Sequence, residues 1–187
     1  MSETREMIMA IARPMVQARG YNGLSFRELA KRIGIKNASI HYHFPTKGDL
    51  GAALARRYRE DAEAILEGLW RESQDPAMCL RKYADGFRLA LENENRMCLC
   101  GVMAAEYHDV PDAVKTEVQA FADSNISWLA KLLSAMDGFG DSAATKERAL
   151  AIYAAIGGAQ LAARSRADIS VFDRIVESYR RAGLIPS

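Results

Sequence analysis

The 187-residue sequence contains few cysteines and no long apolar run, and each of these shortages excludes a class of protein. Its three cysteines, Cys79, Cys98 and Cys100, are too few and too unevenly spaced for a disulfide framework, so a reducing cytoplasm is the expected location. No apolar stretch approaches the roughly 18–20 residues that a membrane-spanning helix requires. The N-terminus also lacks the basic and then apolar pattern of a secretory signal. We therefore expect a globular protein without a membrane partner.

Charge is nearly balanced overall, at +1, but it is unevenly distributed along the chain. Residues 1–50 contain eight Lys and Arg against four Asp and Glu, a net charge of +4, whereas the remainder has a net charge of −3. A basic N-terminal part suits a polyanionic partner that binds at one end of the molecule. By itself this indication is weak, because many solvated helices carry a local excess of charge.

The residue pattern predicts an all-α protein of about nine helices. Alternating β-branched segments are few, while Ala, Leu, Glu, Arg and Met are abundant, which favours helices over strands. Capping residues, glycines and prolines then set the boundaries. The nine predicted helices span approximately residues 3–19, 25–34, 38–43, 47–73, 76–92, 97–107, 110–137, 142–165 and 170–183.

Four predicted helix starts depend on particular residues. Ser25 with Glu28 forms a capping box for the second helix. Asn37 is expected to cap the third helix, and Thr46 with Asp49 the fourth. A pair formed by Ser170 and Asp173 is expected to open the ninth helix.

The second and third helices match a helix-turn-helix signature, because they are short and joined by a tight turn at Gly34. The apolar residues of this segment are spaced to pack against the first helix; they are Leu29, Ala30, Ile33, Ile35 and Ile40. The polar positions of the third helix then face outward, where hydroxyls, cations and short polar groups contact phosphates and base edges. The alternative is that any packing of three helices shows this spacing.

The predicted DNA-binding residues lie at the helix starts and on the outward side of the third helix. They are Ser25, Arg27, Lys36, Asn37, Ala38, Ser39, His41, Tyr42, His43 and Lys47. Arg27 and Lys47 flank the unit as phosphate contacts. His41 and His43 do not form a metal pair, because two residues two apart on a helix point in different directions. We expect neither a metal nor a cofactor.

The stretch from Gly20 to Leu50 resembles the N-terminal domain of the tetracycline-repressor (TetR/AcrR) family. The matching segments are Gly20-Tyr21, Leu24-Ser25-Phe26-Arg27-Glu28-Leu29-Ala30, Ile33-Gly34-Ile35 and Ser39-Ile40-His41-Tyr42-His43-Phe44-Pro45-Thr46-Lys47, followed by Leu50. The resemblance implies a DNA-binding domain at residues 1–47 and a ligand-binding and dimerisation domain at 48–187. His41 stands where the family usually has Tyr, and Ala38 where Gly is common. Whether His41 or Tyr42 makes the main phosphate contact therefore stays open.

In the C-terminal part, residues 154–163 combine glycines and alanines within one predicted helix, which indicates close approach of another helix. The ninth helix offers an apolar face that includes Val171, Phe172 and Val176. The resemblance implies a homodimer formed by helices eight and nine of two copies. The alternative is that these faces pack only within one copy.

The effector site is expected among methionine and aromatic residues of helices five to eight, which can line an adaptable apolar cavity. The predicted ligand-binding residues are Phe87, Met103, Phe121 and Trp128. For each of them singly, a place in the core is the simpler interpretation. Glu106 and His108 could supply polar contacts to a ligand, or they could cap the sixth helix.

These patterns predict a transcriptional repressor that binds a palindromic operator in double-stranded DNA and is released by an unknown small molecule. One alternative is a redox- or electrophile-sensing repressor, because Cys98 lies near a predicted helix start, where the pKa of a thiol is lowered. A second alternative is a helical enzyme that uses a cysteine, or His108 with Glu106. The sequence has no nucleophile, base and orienting residue in a recognisable set, so an enzyme is not expected.

Overall fold

The computed structural model describes residues 2–136, 140 and 142–186. Within these residues the chain forms nine α-helices and no β-strand, which confirms the predicted fold class. The helices are α1 (Glu3–Arg19), α2 (Phe26–Ile33), α3 (Asn37–His43), α4 (Lys47–Ser73), α5 (Pro76–Glu92), α6 (Leu99–Ala105), α7 (Asp112–Ser134), α8 (Ala143–Arg166) and α9 (Ile169–Arg181). The expected break after residue 137 falls largely outside the described residues.

Helix α2 has the boundaries that its residue types predict. The Ser25 hydroxyl accepts a hydrogen bond from the Glu28 N–H at 3.4 Å, which is one half of the expected capping box, while the Glu28 carboxylate accepts from Arg19 and Arg32. At the other end Gly34 adopts a left-handed conformation with φ +79° and donates its N–H to the Ala30 carbonyl. Likewise, Thr46 and Asp49 cap α4 reciprocally, at 2.9 Å and 3.1 Å.

Three predicted boundaries are corrected by the structure. Asn37 is the first helical residue of α3, and Lys36, with extended backbone, holds the capping position. Helix α6 is shorter than expected because Cys98 is still non-helical and Glu106 already ends it. The N-cap of α9 lies two residues earlier than expected, since Asp168 takes the place of Ser170 and its carboxylate accepts the Ser170 N–H at 2.9 Å.

The helices form two compact units. The first comprises Met1–Arg59 and Cys98–Phe121, so that it includes α1 to α3 together with α6. Here α1 packs against α2 and α6, and α2 packs against α3. The core consists of fully or almost fully buried apolar side chains, which include Ile8, Val16, Leu29, Ile40, Phe44, Leu50, Leu99 and Met103. Each such side chain contributes about 1.5–3 kcal/mol when it leaves water.

The second unit comprises Glu60–Met97 and Ala122–Ser187. Helix α8 packs against α5 and α9, and α5 against α9. Within this core the fully buried Gln160 side chain donates to the Phe87 carbonyl at 2.7 Å. The predicted boundary after residue 47 concerns function and stays a prediction. No helix among the described residues is long and apolar enough to cross a membrane.

Candidate nucleic-acid interface

Helix α3 has one inward and one outward side. Ile40 is fully buried, and its contacts lie in the core of the first unit. Of the ten predicted DNA-binding residues, those exposed to solvent are Ser25, Arg27, Lys36, Asn37, Ala38, His41 and Tyr42, while Ser39, His43 and Lys47 are half-buried. A short helix with a buried apolar anchor and an exposed polar side can enter the major groove of DNA without losing its own packing.

The environments of His41 and Tyr42 differ. Tyr42 is 84% exposed, and its ring makes an edge contact with His43. The His41 ring packs edge-on against Phe26, with 4.9 Å between the ring centroids, and its Nδ1 lies 3.2 Å from the Pro45 carbonyl oxygen. Tyr42 therefore presents its hydroxyl group to solvent, whereas His41 also packs against its own chain.

Lys47 is held more closely than the other predicted phosphate contacts. Its Nζ donates to the Asn22 carbonyl at 3.3 Å and lies 4.5 Å from the centroid of the Tyr21 ring. Burial lowers the pKa of Lys47, and the nearby Glu106 carboxylate opposes this effect. The ammonium is thus tied to the turn between α1 and α2, while the predicted partner Arg27 is exposed.

Arg5 is a contributor that the sequence did not reveal. Its Nη1 donates to the His43 carbonyl at 3.0 Å, and its guanidinium lies 4.1 Å from the centroid of the Phe44 ring. Carbonyl groups at a helix C-terminus lack intrahelical partners, so a cation there stabilises the helix end. Arg5 in this way fixes the C-terminus of α3 to α1. The contact spans 38 residues, and no local pattern signals it.

Glu106 is a second residue that supports the candidate interface and whose contacts the sequence did not reveal. Its carboxylate accepts the backbone N–H groups of Tyr21 and Asn22 at 2.5 Å and 3.3 Å. The sequence had indicated a ligand contact or a cap of the sixth helix for this residue. Its backbone does occupy the C-cap position of α6, but its side chain binds the turn between α1 and α2.

The four predicted ligand-binding residues are all buried, but they divide between the two units. In the second unit, the rings of Phe87 and Trp128 lie 5.5 Å and 5.8 Å from the ring of Tyr83 and form one aromatic cluster. In the first unit, the Phe121 ring lies 5.4 Å from that of Tyr58, and Met103 is fully buried.

A pocket of about 240 Å³ in the second unit includes Trp128 in its wall. Its other lining residues are Glu63, Leu66, Glu67, Ser124, Ser127 and Lys131. Glu63 accepts a hydrogen bond from Ser124 at 2.8 Å, and Lys131 pairs with Glu67 at 3.3 Å. The walls therefore combine the Trp128 indole ring and Leu66 with two serines and two pairs of polar or charged side chains.

The lowered thiol pKa that the helix start predicts for Cys98 is wrong. Cys98 does precede α6, but it is 5% exposed and burial raises the pKa of its thiol. Burial also holds the pKa of Cys100 well above its usual value. A raised pKa leaves little thiolate at neutral pH, which opposes the reactivity expected of a thiol at a helix start. Among the described residues no group of three or more His, Cys, Asp or Glu is arranged to hold a metal.

An outward polar helix on a buried helical anchor, preceded by a capped short helix and a left-handed glycine, defines a DNA-binding protein of the helix-turn-helix class. A family profile described as "Bacterial regulatory proteins, tetR family" matches residues 8–54. No curated protein matches the sequence significantly.

Solved structures extend the likeness to the whole chain. A TetR transcriptional regulator from Legionella pneumophila is 30% identical, with a TM-score of 0.90 over 97% of this chain and 98% of that one. A TetR-family regulator from Agrobacterium tumefaciens is also 30% identical, with a TM-score of 0.86 over 95% and 96%. FadR from Bacillus subtilis in complex with stearoyl-CoA shares the fold at 14% identity, with a TM-score of 0.74 over 97% of each chain. The chain belongs to the TetR family of transcriptional regulators.

Proposed function

We propose that the protein is a dimeric repressor that binds a palindromic operator and is released from it by a small molecule. The observation that carries this proposal is the exposure of the polar side of α3, with Tyr42 84% exposed, over a fully buried Ile40. Such a helix presents side chains to base edges, while the rest of the unit holds its orientation.

Within this proposal, the ten predicted residues divide by their surroundings. Arg27 and Lys36 are exposed cations at the starts of α2 and α3, where phosphates also meet free backbone N–H groups. Tyr42 is the main phosphate contact of α3, because its hydroxyl is free of the packing that His41 makes with Phe26. The other predicted residues, Ser25, Asn37, Ala38, Ser39, His43 and Lys47, complete the surface.

We assign the centre of the dimer interface to α8, and its solvent-facing edge to the exposed side of α9. Leu150 and Leu161 of α8 are 52% and 59% exposed, and because they are eleven residues apart they lie on the same side of the helix. Between them lie Gly157 and Gly158, and a Cβ added at either would meet no atom within 4 Å in the described part of the chain. These glycines therefore serve no close approach inside one copy, which supports a contact with the same helix of a second copy.

The apolar residues of α9 pack within one copy, which is the alternative given for them by the sequence. Val171, Phe172 and Val176 are buried within the chain, and α9 packs against α5 and α8. We therefore assign to α9 only a polar contribution to the dimer.

The effector is assigned to the second unit, at the cluster of Phe87, Tyr83 and Trp128. Trp128 lines the pocket of about 240 Å³, and its buried indole Nε1 has no hydrogen-bond partner among the described residues. A ligand that offers an acceptor to this N–H gains a bond that the free protein lacks. That FadR is described in complex with stearoyl-CoA supports a small-molecule effector for this fold.

Release would follow from a shift in population. A ligand that binds more tightly to a conformation whose two recognition helices do not match successive major grooves favours that conformation. Affinity for the operator then falls by at most the ratio of the two ligand affinities.

Selection from a random DNA library tests the proposal. The full-length protein is incubated with the library, bound duplexes are sequenced through several rounds, and an enriched duplex is titrated at two salt concentrations. We expect a palindrome whose half-sites are separated by about one helical turn, roughly 34 Å, or a multiple of it, and binding that weakens as salt rises. Failure to enrich any sequence would overturn the proposal.

A further inference from the structure

The turn between α1 and α2 carries two backbone N–H groups that point toward one carboxylate. Gly20 has φ +79° and ends α1, and the N–H groups of Tyr21 and Asn22 that follow are both accepted by Glu106. The Asn22 side chain also donates to Asp109 at 2.8 Å. The segment 106–109 therefore holds the turn through three hydrogen bonds, two of them to one charged group, which makes them stronger than bonds between neutral groups.

The packing around this turn leaves little space for another arrangement. A Cβ at Gly20 would lie 2.5 Å from Glu106 Oε1, so the carboxylate rests against the backbone itself. On the other side, a Cβ at Gly51 of α4 would lie 2.8 Å from Cε2 of Tyr21. The turn is thus enclosed between the end of α6 and the start of α4.

The turn also holds a predicted DNA contact, since Lys47 donates to the Asn22 carbonyl and lies over the Tyr21 ring. Glu106 raises the pKa of Lys47 against the effect of burial, so the two groups attract each other. The Glu106 carboxylate therefore acts on two parts of the proposed DNA-binding surface. It binds the turn that precedes the start of α2 by three residues, and it attracts Lys47 at the start of α4.

We propose that Glu106 is a positioning residue for DNA binding, which fixes the α1–α2 turn and Lys47 without contacting DNA itself. This inference rests on the DNA-binding surface proposed above. It predicts that removal of the Glu106 carboxylate weakens DNA binding, which is the opposite of the change that long-range electrostatics alone would cause. Removing a negative charge from a protein that binds a polyanion strengthens binding when only long-range charge matters. Loss of a positioning contact weakens binding instead.

The test compares Glu106→Gln and Glu106→Ala with Asp112→Asn as matched control. Asp112 lies six residues away on the first turn of α7, its side chain is 96% exposed, and within the described part of the chain its carboxylate pairs with Lys115 alone. Asp112→Asn therefore removes the same charge but none of the contacts of the turn. The probes are the duplex enriched by the wild-type protein and an unrelated duplex of equal length.

For the enriched duplex, we expect binding about tenfold weaker with Glu106→Ala and about threefold to tenfold weaker with Glu106→Gln, which keeps one acceptor oxygen. Asp112→Asn should bind as tightly as the wild type or slightly more tightly. The ratio of affinities for the enriched and unrelated duplexes should fall in the Glu106 variants alone, because a displaced recognition unit loses base contacts before phosphate contacts.

Amide hydrogen exchange separates this role from a general loss of stability. In Glu106→Gln the Tyr21 and Asn22 amides should exchange faster, while amides of α8 keep the wild-type rate. If Glu106→Ala does not fold, Glu106→Gln alone decides the question. Binding by Glu106→Gln that equals or exceeds that of Asp112→Asn would overturn the inference. If the wild-type protein itself enriches no duplex, the proposed function fails, and the positioning role fails with it.

Discussion

Helices α3 and α8 both expose side chains, but of opposite kinds. In α3 the exposed residues are polar or amphipathic, as in Asn37 and Tyr42, apart from the small Ala38, and the large apolar Ile40 points inward. In α8 apolar residues lie on both sides, since Ile152 and Ile156 are buried while Leu150 and Leu161 are exposed. The difference indicates two kinds of partner. Helix α3 suits a hydrated, charged polymer, whereas α8 suits a second protein surface that removes its leucines from water.

The largest expected effect comes from placing a charge on the exposed side of α8. Leu161→Glu would bury an unpaired carboxylate in each copy of the proposed dimer, which costs several kcal/mol. We expect dimer affinity to fall at least about a hundredfold, measured by sedimentation equilibrium. Leu89→Glu is the control, because Leu89 of α5 is similarly exposed, at 61%, but lies on another helix. Equal effects of the two changes would contradict the assignment of α8.

On α3, removal of a single hydroxyl should have the next largest effect. Tyr42→Phe keeps the exposed ring but loses the proposed hydrogen bond to phosphate, and bonds to charged groups contribute about 1.5–3 kcal/mol. Affinity for the enriched duplex should fall about tenfold to a hundredfold, as measured by fluorescence anisotropy. His41→Ala should lose less. A larger loss in His41→Ala than in Tyr42→Phe would reverse the roles of the two residues.

Glycine substitutions test more finely whether the exposed side of α8 contacts a second copy or faces solvent. Gly86→Ala in α5 and Gly158→Ala in α8 both add a methyl group where no described atom lies within 4 Å. In a helix this exchange is worth about 1 kcal/mol in favour of Ala. Thermal unfolding should show that gain for Gly86→Ala, but a smaller gain or a loss for Gly158→Ala, whose methyl group meets the second copy. An equal gain would mean that Gly158 faces solvent in the dimer.

The smallest expected effect is a change in salt dependence. Lys36→Ala should reduce the slope of log affinity against log salt concentration by about 0.9, the value for one phosphate contact. The change at fixed salt should be modest, so the slope is the quantity to measure. Lys82→Ala on α5 should leave the slope unaltered. An unchanged slope in Lys36→Ala would remove this residue from the phosphate contacts.

The fold was largely predictable because its signals are local. The capping residues Ser25 and Asp75 and the reciprocal pair of Thr46 and Asp49 each act within three residues of the backbone groups they satisfy. The sequence contains that spacing directly. Where two residues compete for one cap, the spacing does not decide. Asp168 prevails over Ser170 because its backbone is extended at that point, which only the folded chain shows.

The candidate site was predictable only in part, for a related reason. The outward residues of α3 follow from the period of one helix and the position of Ile40. Glu106, by contrast, meets Tyr21 across 85 residues of chain, so nothing near either residue signals the contact. The cysteines show the same limitation. A helix start predicts a lowered thiol pKa for Cys98, but the burial that reverses this prediction depends on distant parts of the chain.

The glycine at position 51 limits how α4 can move. Both the Tyr21 ring and Val114 lie within about 3 Å of the place where its Cβ would stand. If α4 advanced by one residue in register, a screw movement of about 1.5 Å and about 100°, the larger side chain of Leu50 or Ala52 would enter that space. We therefore expect the first turns of α4 to travel together with α1 to α3 as a single rigid piece. An effector would then displace that piece as a whole, because a one-residue shift of α4 alone would bring a side chain against Tyr21 and Val114.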